Sequence, residues 1–490
     1  MQAEIDQPEI QMDNVDLVVN DVLMMPGILD QVFSHLDLDT LKSVRLVCTV
    51  WDDVGAKFLG KNGRLTFSRL PIPWYTRCKE LTSFNHNLAK NVTLHMKCYC
   101  LRDCVCSRTE VQFNRILPSN FAILLPQIFD KLSTLKVNVE NRFNPHLHEM
   151  WSNYQFPNLT RISISVTLAN ELDLEEHVDV MLQMKFQPLK HLKVLSLKIF
   201  PNFDDHFSGV VCSPLCQKLL NVAPNLEKFD ITMNFFPGLT PCRKLKELRL
   251  DYCECHDLPN VHVDIPEMAR MLENCRDSLE KLTLDYLCGN LPSLLLNLNF
   301  PNLTHPCIDA AYVYKIEASL NTTDLPKLTH LSIKSLCDIS ITIGAFHLRH
   351  PGITSLSEFK LKLVIHVHNF TVEFLPLKEM MRSFGDWELT NGQVVIEGAQ
   401  LSHEGLDERA ITAVLGGMTG WKGLKNTSLR FIWCNVQEKL KTSDAMRAGA
   451  MACGAIRDVV MDAFRLDDEV LRNFLGFAED NNLPVSVTNF

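Results

Sequence analysis

No lysine or arginine occurs before Lys42. That absence removes both the charged start of a secretory signal and the arginine-rich character of a transit peptide. No uninterrupted apolar run approaches the roughly 20 residues that a membrane helix needs. Catalytic signatures are missing too. There is no Gly-x-Ser-x-Gly elbow, no His-Glu-x-x-His, no phosphate-cradling glycine loop followed by lysine, and no dinucleotide fingerprint. The 17 histidines are scattered, and the 17 cysteines include no Cys-x-x-Cys pair. Together these absences point away from secretion, membrane insertion and catalysis. The expected setting is a reducing compartment, cytosol or nucleus, where free thiols serve as small buried hydrophobes. A formal net charge of −10 opposes phosphate binding, so nucleic acid is a poor partner. No catalytic residue, metal or cofactor is expected.

What is present falls into sections. At 490 residues, 46% of them hydrophobic, the chain is too long for one compact core and calls for several domains or an elongated repeat. Residues 1–21 carry Glu4, Asp6, Glu9, Asp13 and Asp16 with few large apolar residues, and read as a solvated acidic tail. Residues 22–63 are helical. Pro26 suits a first helical turn, and Ile28, Leu29, Val32, Phe33 and Leu36 form an apolar stripe. Asp37 to Thr40 offers capping oxygens. Leu41, Val44, Cys48 and Trp51 form a second stripe, ended by Gly60 and Gly63. So short a unit cannot bury all these side chains by itself, so part of the stripe must pack on something else.

The ordered set Pro26, Leu29, Val32, Phe33, Leu36, Leu41, Val47, Cys48 and Trp51 resembles an F-box, with Met25 where the family usually has leucine. The resemblance implies docking on a Skp-type adaptor, and through it on cullin and RING subunits. Pro26, Leu29, Val32, Phe33, Leu36, Leu41, Val47 and Trp51 are then the expected adaptor-binding residues.

From about Phe121 to residue 370 a Leu-x-x-Leu-x-Leu frame recurs. Its copies include Leu132-Leu135-Val137, Leu159-Ile162-Ile164, Leu192-Leu195-Leu197, Leu226-Phe229-Ile231, Leu245-Leu248-Leu250 and Leu279-Leu282-Leu284. A weaker copy is Leu303-Pro306-Ile308, followed by Leu328-Leu331-Ile333 and Leu356-Phe359-Leu361. Pro-Asn-Leu leads into several of them. Each frame alternates apolar and polar residues as a half-buried strand does, and only stacked copies make a continuous core. The frame resembles the leucine-rich repeat, whose period is about 20–29 residues with longer variants. The resemblance implies an α/β solenoid with parallel strands on a concave face and helices and loops on the convex one. It also implies that residues between the apolar strand positions meet a target protein. Here the charged ones are Lys198, Asp230, Arg249, Asp251, Asp285, Lys334, Lys360 and Lys362, of mixed sign, and the first six are the expected target-binding residues. Residues 371–490 keep a strand–helix rhythm without the frame and read as degenerate repeats and a cap, a separate small domain being the alternative.

Residues 64–120 read as linker and N-terminal cap. Within them Cys98, Cys100, Cys104 and Cys106, with His95 nearby, have enough thiols for a tetrahedral zinc, but the alternation equally fits a strand turning small residues inward. The strand reading is preferred because the usual metal-loop spacing is absent. Cys253, Cys255 and His256 form a second cluster, also read as packing. As a whole the chain reads as the target-recognition subunit of a Skp–cullin–F-box ubiquitin ligase, or alternatively as a ligase-independent repeat scaffold. An enzyme built around Cys98–Cys106 is the least favoured reading.

Overall fold

The computed structural model describes residues 24–69, 85–98, 119–140, 150–168, 185–201, 212–232, 235–251, 264–288, 299–312, 316–319, 325–338, 346–349, 357–366, 375–383, 391–398, 408–418, 426–432, 447, 451, 458–464 and 468–489. The chain divides into two compact units, Met1–Leu192 and Lys193–Phe490. The acidic tail, Cys100–Cys106 and Cys253–His256 lie outside the described residues.

Among the described residues, the first unit begins with three helices: α1 (Pro26–Phe33), α2 (Leu38–Val44) and α3 (Thr49–Asn62). Pro26 occupies the first turn of α1, where its missing N–H has no partner to lose. The Asp37 carboxylate accepts from the Thr40 N–H at 2.8 Å and caps α2. The second apolar stripe is not one helix, because residues 45–48 form a turn between α2 and α3. Nor is Gly60 a terminator. It sits inside α3, where a Cβ would collide with the Asn87 carbonyl and the Leu88 backbone. Glycine lets the helix lie directly on the following 3-10 turn, His86–Leu88. Asn91 then donates to the carbonyls of Gly60, Lys61 and Gly63 at 2.8–3.1 Å, satisfying the open end of α3.

Four parallel strands follow among the described residues of this unit: β1 (Leu65–Arg69), β2 (Asn91–Cys98), β3 (Thr134–Glu140) and β4 (Arg161–Leu168), with α4 (Ser119–Ile128) before β3. The strand register therefore begins before the first leucine frame, inside the stretch read as linker and cap.

Among the described residues of the second unit eleven strands stack in parallel, each hydrogen-bonded to its neighbour. They are β5 (Val194–Pro201), β6 (Lys228–Thr232), β7 (Glu247–Asp251), β8 (Lys281–Cys288), β9 (His305–Tyr312), β11 (His330–Asp338), β13 (Glu358–His366), β14 (Asn391–Gly398), β15 (Asn426–Ile432), β16 (Asp458–Phe464) and β17 (Val485–Asn489). A separate parallel pair joins β10 (Ile316–Ser319) to β12 (Phe346–Arg349). Helices between strands are α5 (Ser213–Asn221), α6 (Ile265–Glu273), α7 (Leu375–Ser383), α8 (Glu408–Gly417) and α9 (Asp468–Asp480). The fold is mixed α/β with a long parallel sheet, the architecture of a leucine-rich-repeat solenoid. The frameless C-terminal segment stays in the ladder as β14 to β17.

The physical logic repeats from copy to copy. The frame residues Leu226, Phe229, Ile231, Leu245, Leu248 and Leu250 are all at most 1% exposed. A five-residue strand such as β6 or β7 costs about 5–10 kcal/mol of backbone entropy. Two inward side chains return only about 3–6 kcal/mol. One copy cannot stand, and a stack can, because each neighbour covers the next. The Pro-Asn-Leu lead-in closes a turn: the Leu159 N–H donates to the Phe156 carbonyl and Leu303 to Phe300, at 3.2 and 3.3 Å. Its asparagine reaches back one repeat, Asn158 to the Asp130 carbonyl at 2.5 Å and Asn302 to that of Asp277 at 2.6 Å. Thr160, Thr304 and Thr329 do the same with hydroxyls, donating to the carbonyls of Ser133, Glu280 and Thr304. The asparagine bonds give the Asp130 and Asp277 carbonyls a donor, and the threonine hydroxyls reinforce carbonyls that already accept two backbone N–H groups each.

Candidate interaction surfaces

The three helices make a core of their own. Leu29, Phe33, Leu41 and Val54 are its buried members, with Leu36, Val44, Val50, Trp51, Phe58 and Leu59 packed against them. Trp51 meets Phe33 edge-on, ring centroids 5.4 Å apart. Lys57 bridges to Asp30 at 2.9 Å, tying α3 to α1. Arg45 bridges to Asp52 at 2.7 Å, and Asn85 donates to Asp52 and Asp53 at 3.0 Å, tying α3 to the chain before β2.

That core corrects part of the expected docking surface. Leu29 and Phe33 are 1% exposed and Leu41 is fully buried, so all three hold the helices together and offer nothing to a partner. Leu36 and Trp51 are half-buried in the same cluster. Pro26, Val32 and Val47 do face outward. The open apolar surface is completed by residues the periodicity did not select: Met24, Met25, Leu38 and Leu46, the last 87% exposed. Six of the seven exposed large hydrophobics among the described residues fall between Met24 and Val47. The Met24 and Cys48 sulfurs lie 3.8 Å apart, which sets the chain entrance beside the turn carrying Leu46 and Val47. The available signal was apolar residues in a turn, where no helical stripe can bury them.

The second surface is the polar side of the strands in the second unit. Register places Ser196 beside Asp230, Asp230 beside Arg249 and Asp251 beside Asp285. Five of the six expected target-facing charges therefore gather on β5 to β8. They are largely engaged with one another. Asp230 accepts from Ser196 at 3.2 Å and pairs with Lys198 at 3.8 Å. Arg249 grips one oxygen of Asp285 through two nitrogens, at 2.7 and 2.8 Å. Among the described residues, Asp251 accepts from the Thr232 hydroxyl, at 3.3 Å. Burial, reinforced by the neighbouring Asp285 carboxylate, pushes the Asp251 carboxyl above its ordinary range. Lys334 lies apart on β11, opposite Asp309 and Lys362, and its side chain is outside the described residues.

At the first strand position a second row runs from Lys228 through Glu247 and Lys281 to His305, His330 and Glu358. Glu247 takes Lys228 at 2.7 Å and Lys281 at 3.1 Å. In the first unit the same polar side carries His95, whose Nδ1 lies 3.0 Å from the Asn138 amide. Cys98 ends β2, but no further member of that cysteine cluster is described. Among the described residues no group of three metal-ligating side chains is assembled, and no helix is long and apolar enough to cross a membrane. Cys212, Cys216, Cys242 and Cys275 are buried core thiols, and burial pushes three of them to about 12.

No family model matches the chain, and no curated protein matches it in sequence. Among solved structures it is similar to one titled "Crystal structure of TLR13-ssRNA13 complex", at 14% identity and a TM-score of 0.32. That match covers 88% of this chain and 65% of the other, so the chain spans under two thirds of its length. The repeat architecture rests on the strand ladder and the buried leucine frame.

Proposed function

We propose that this chain is the target-recognition subunit of a Skp–cullin–F-box ubiquitin ligase, acting without an active site of its own. The observation that carries this reading is the concentration of exposed large hydrophobics on the N-terminal helices, on a core already closed beneath them. A folded segment that keeps Met24, Met25, Val32, Leu38, Leu46 and Val47 in water has an apolar face to give to a partner. The F-box resemblance supplies that partner, a Skp-type adaptor bridging to cullin. The polar strand face would hold a target protein in the cytosol or nucleus. Catalysis would then be proximity, with target lysines held near a ubiquitin thioester carried by another subunit. The experiment is co-expression with a Skp-type adaptor and cullin, followed by purification through this chain. Stoichiometric adaptor and cullin support the proposal. An adaptor-free chain that still binds protein targets would leave only a repeat-based interaction scaffold.

A further inference from the structure

The face of β9, β11 and β13 carries a feature that adaptor docking does not use. His305 and His330 stack, with ring centroids 4.0 Å apart and planes within 14°. Register explains the placement: Ser332 lies opposite Cys307, which sets His330 beside His305, and His330 lies opposite Glu358. A hydroxyl ladder holds both rings in place. Thr304 Oγ1 lies 2.9 Å from the Glu280 carbonyl oxygen and 2.7 Å from His305 Nδ1. Thr329 Oγ1 lies 3.3 Å from the Thr304 carbonyl oxygen and 2.8 Å from His330 Nδ1. Each ring thus has Nδ1 hydrogen-bonded to its own threonine and turns Nε2 to its surroundings.

The two Nε2 positions are unequal. His330 Nε2 faces the Glu358 carboxylate at 3.3 Å, where a proton makes an ion pair. His305 has Lys281 on the adjoining strand instead. The surrounding charges are Glu247 on β7, Lys281 on β8, and Glu358 and Lys360 on β13. Glu247 is engaged by Lys281 at 3.1 Å, and Glu358 by Lys360 at 2.8 Å. A first proton thus has a carboxylate waiting, and a second must enter a ring stacked on an imidazolium and beside an ammonium.

We propose that the His305–His330 stack is a proton-responsive switch on the exposed strand face: the pair holds one proton as a flat unit, and a second parts the rings and adds one positive charge to that surface. Burial, the His330 ring and Lys281 all hold His305 below the ordinary histidine value, in keeping with this order. The inference depends on the strand face being open and is independent of adaptor docking.

The test is a proton NMR titration of the histidine Cε1–H signals in the full chain, assigned with His305→Phe and His330→Phe. In the wild type the two signals should titrate in separate steps, and the upfield ring-current shift of the stack should vanish in the lower one. His330→Phe should move the His305 midpoint up, because one of the causes that lower it is removed. His305→Phe should remove the lower step while keeping the stack. The proposal is overturned if the wild-type rings titrate together with the ring-current shift unchanged, an outcome readable even if a variant fails to fold. It is equally overturned if a folded His330→Phe leaves the His305 midpoint where it was.

Discussion

Replacing Leu46 and Val47 together by alanine separates docking from folding. Leu46 is 87% and Val47 61% exposed, so their truncation removes almost nothing from the helical core. Fold stability should change by under about 0.5 kcal/mol, as for ordinary surface substitutions. If a partner covers both side chains, each contributes about 1.5–3 kcal/mol of burial, of which truncation to alanine removes the larger part. A combined loss of about 3 kcal/mol corresponds to roughly a hundredfold weaker dissociation constant. The control is Leu29→Ala with Phe33→Ala. Those residues are buried, and such truncations cost about 2–5 and 3–5 kcal/mol by opening cavities. Lost capture in that variant would report an unfolded helix trio and nothing about contact. The assay is calorimetric titration with a purified Skp-type adaptor, alongside thermal melts of each variant. An unchanged dissociation constant for the Leu46/Val47 variant would refute the idea that this turn is the docking surface.

Gly60→Ala should loosen α3 from the turn before β2, because its methyl would enter the space of the Asn87 carbonyl. A loss of about 1–3 kcal/mol, as in overpacked cores, should appear as a lower melting temperature of the first unit. Asp251→Asn should stabilise the second unit near neutral pH. Its carboxyl titrates above the unfolded value, so the charged form is disfavoured by folding, and wild-type stability gained through this group rises as pH falls through the folded value. Chemical denaturation of both proteins at pH 7 and pH 4 should show the difference shrink on acidification. The thiols of Cys212, Cys242 and Cys275, pushed to about 12 by burial, should resist iodoacetamide at pH 8 until denaturant is added. Rapid alkylation of the native protein, read by peptide mass spectrometry, would contradict their place in the core.

The sequence by itself determined the repeat. Leucine at fixed offsets is a local pattern, and the strand period turns it directly into a buried edge, so β3 to β9, β11 and β13 were legible one frame at a time. Strands were legible too at 394–396, 429–432, 456–461 and 485–487 from short apolar runs, the third of them starting at Asp458 in the structure, and so was the Asp37 cap. What only the tertiary structure decided depends on neighbours that the sequence does not order. Leu29, Phe33 and Leu41 match the resemblance as well as Val32 and Val47 do, yet the first three face inward, because α3 folds back over α1 and α2 and covers that side. The charges expected to greet a target were each visible, but the pairing of Lys198 with Asp230 and of Arg249 with Asp285 was not. Asp251 meets Asp285, and Arg249 reaches Asp285 across a sequence separation of 36 residues, and only the parallel register closes it. The same holds for His305 and His330. Two scattered histidines become one stacked pair because consecutive repeats place the same strand position side by side.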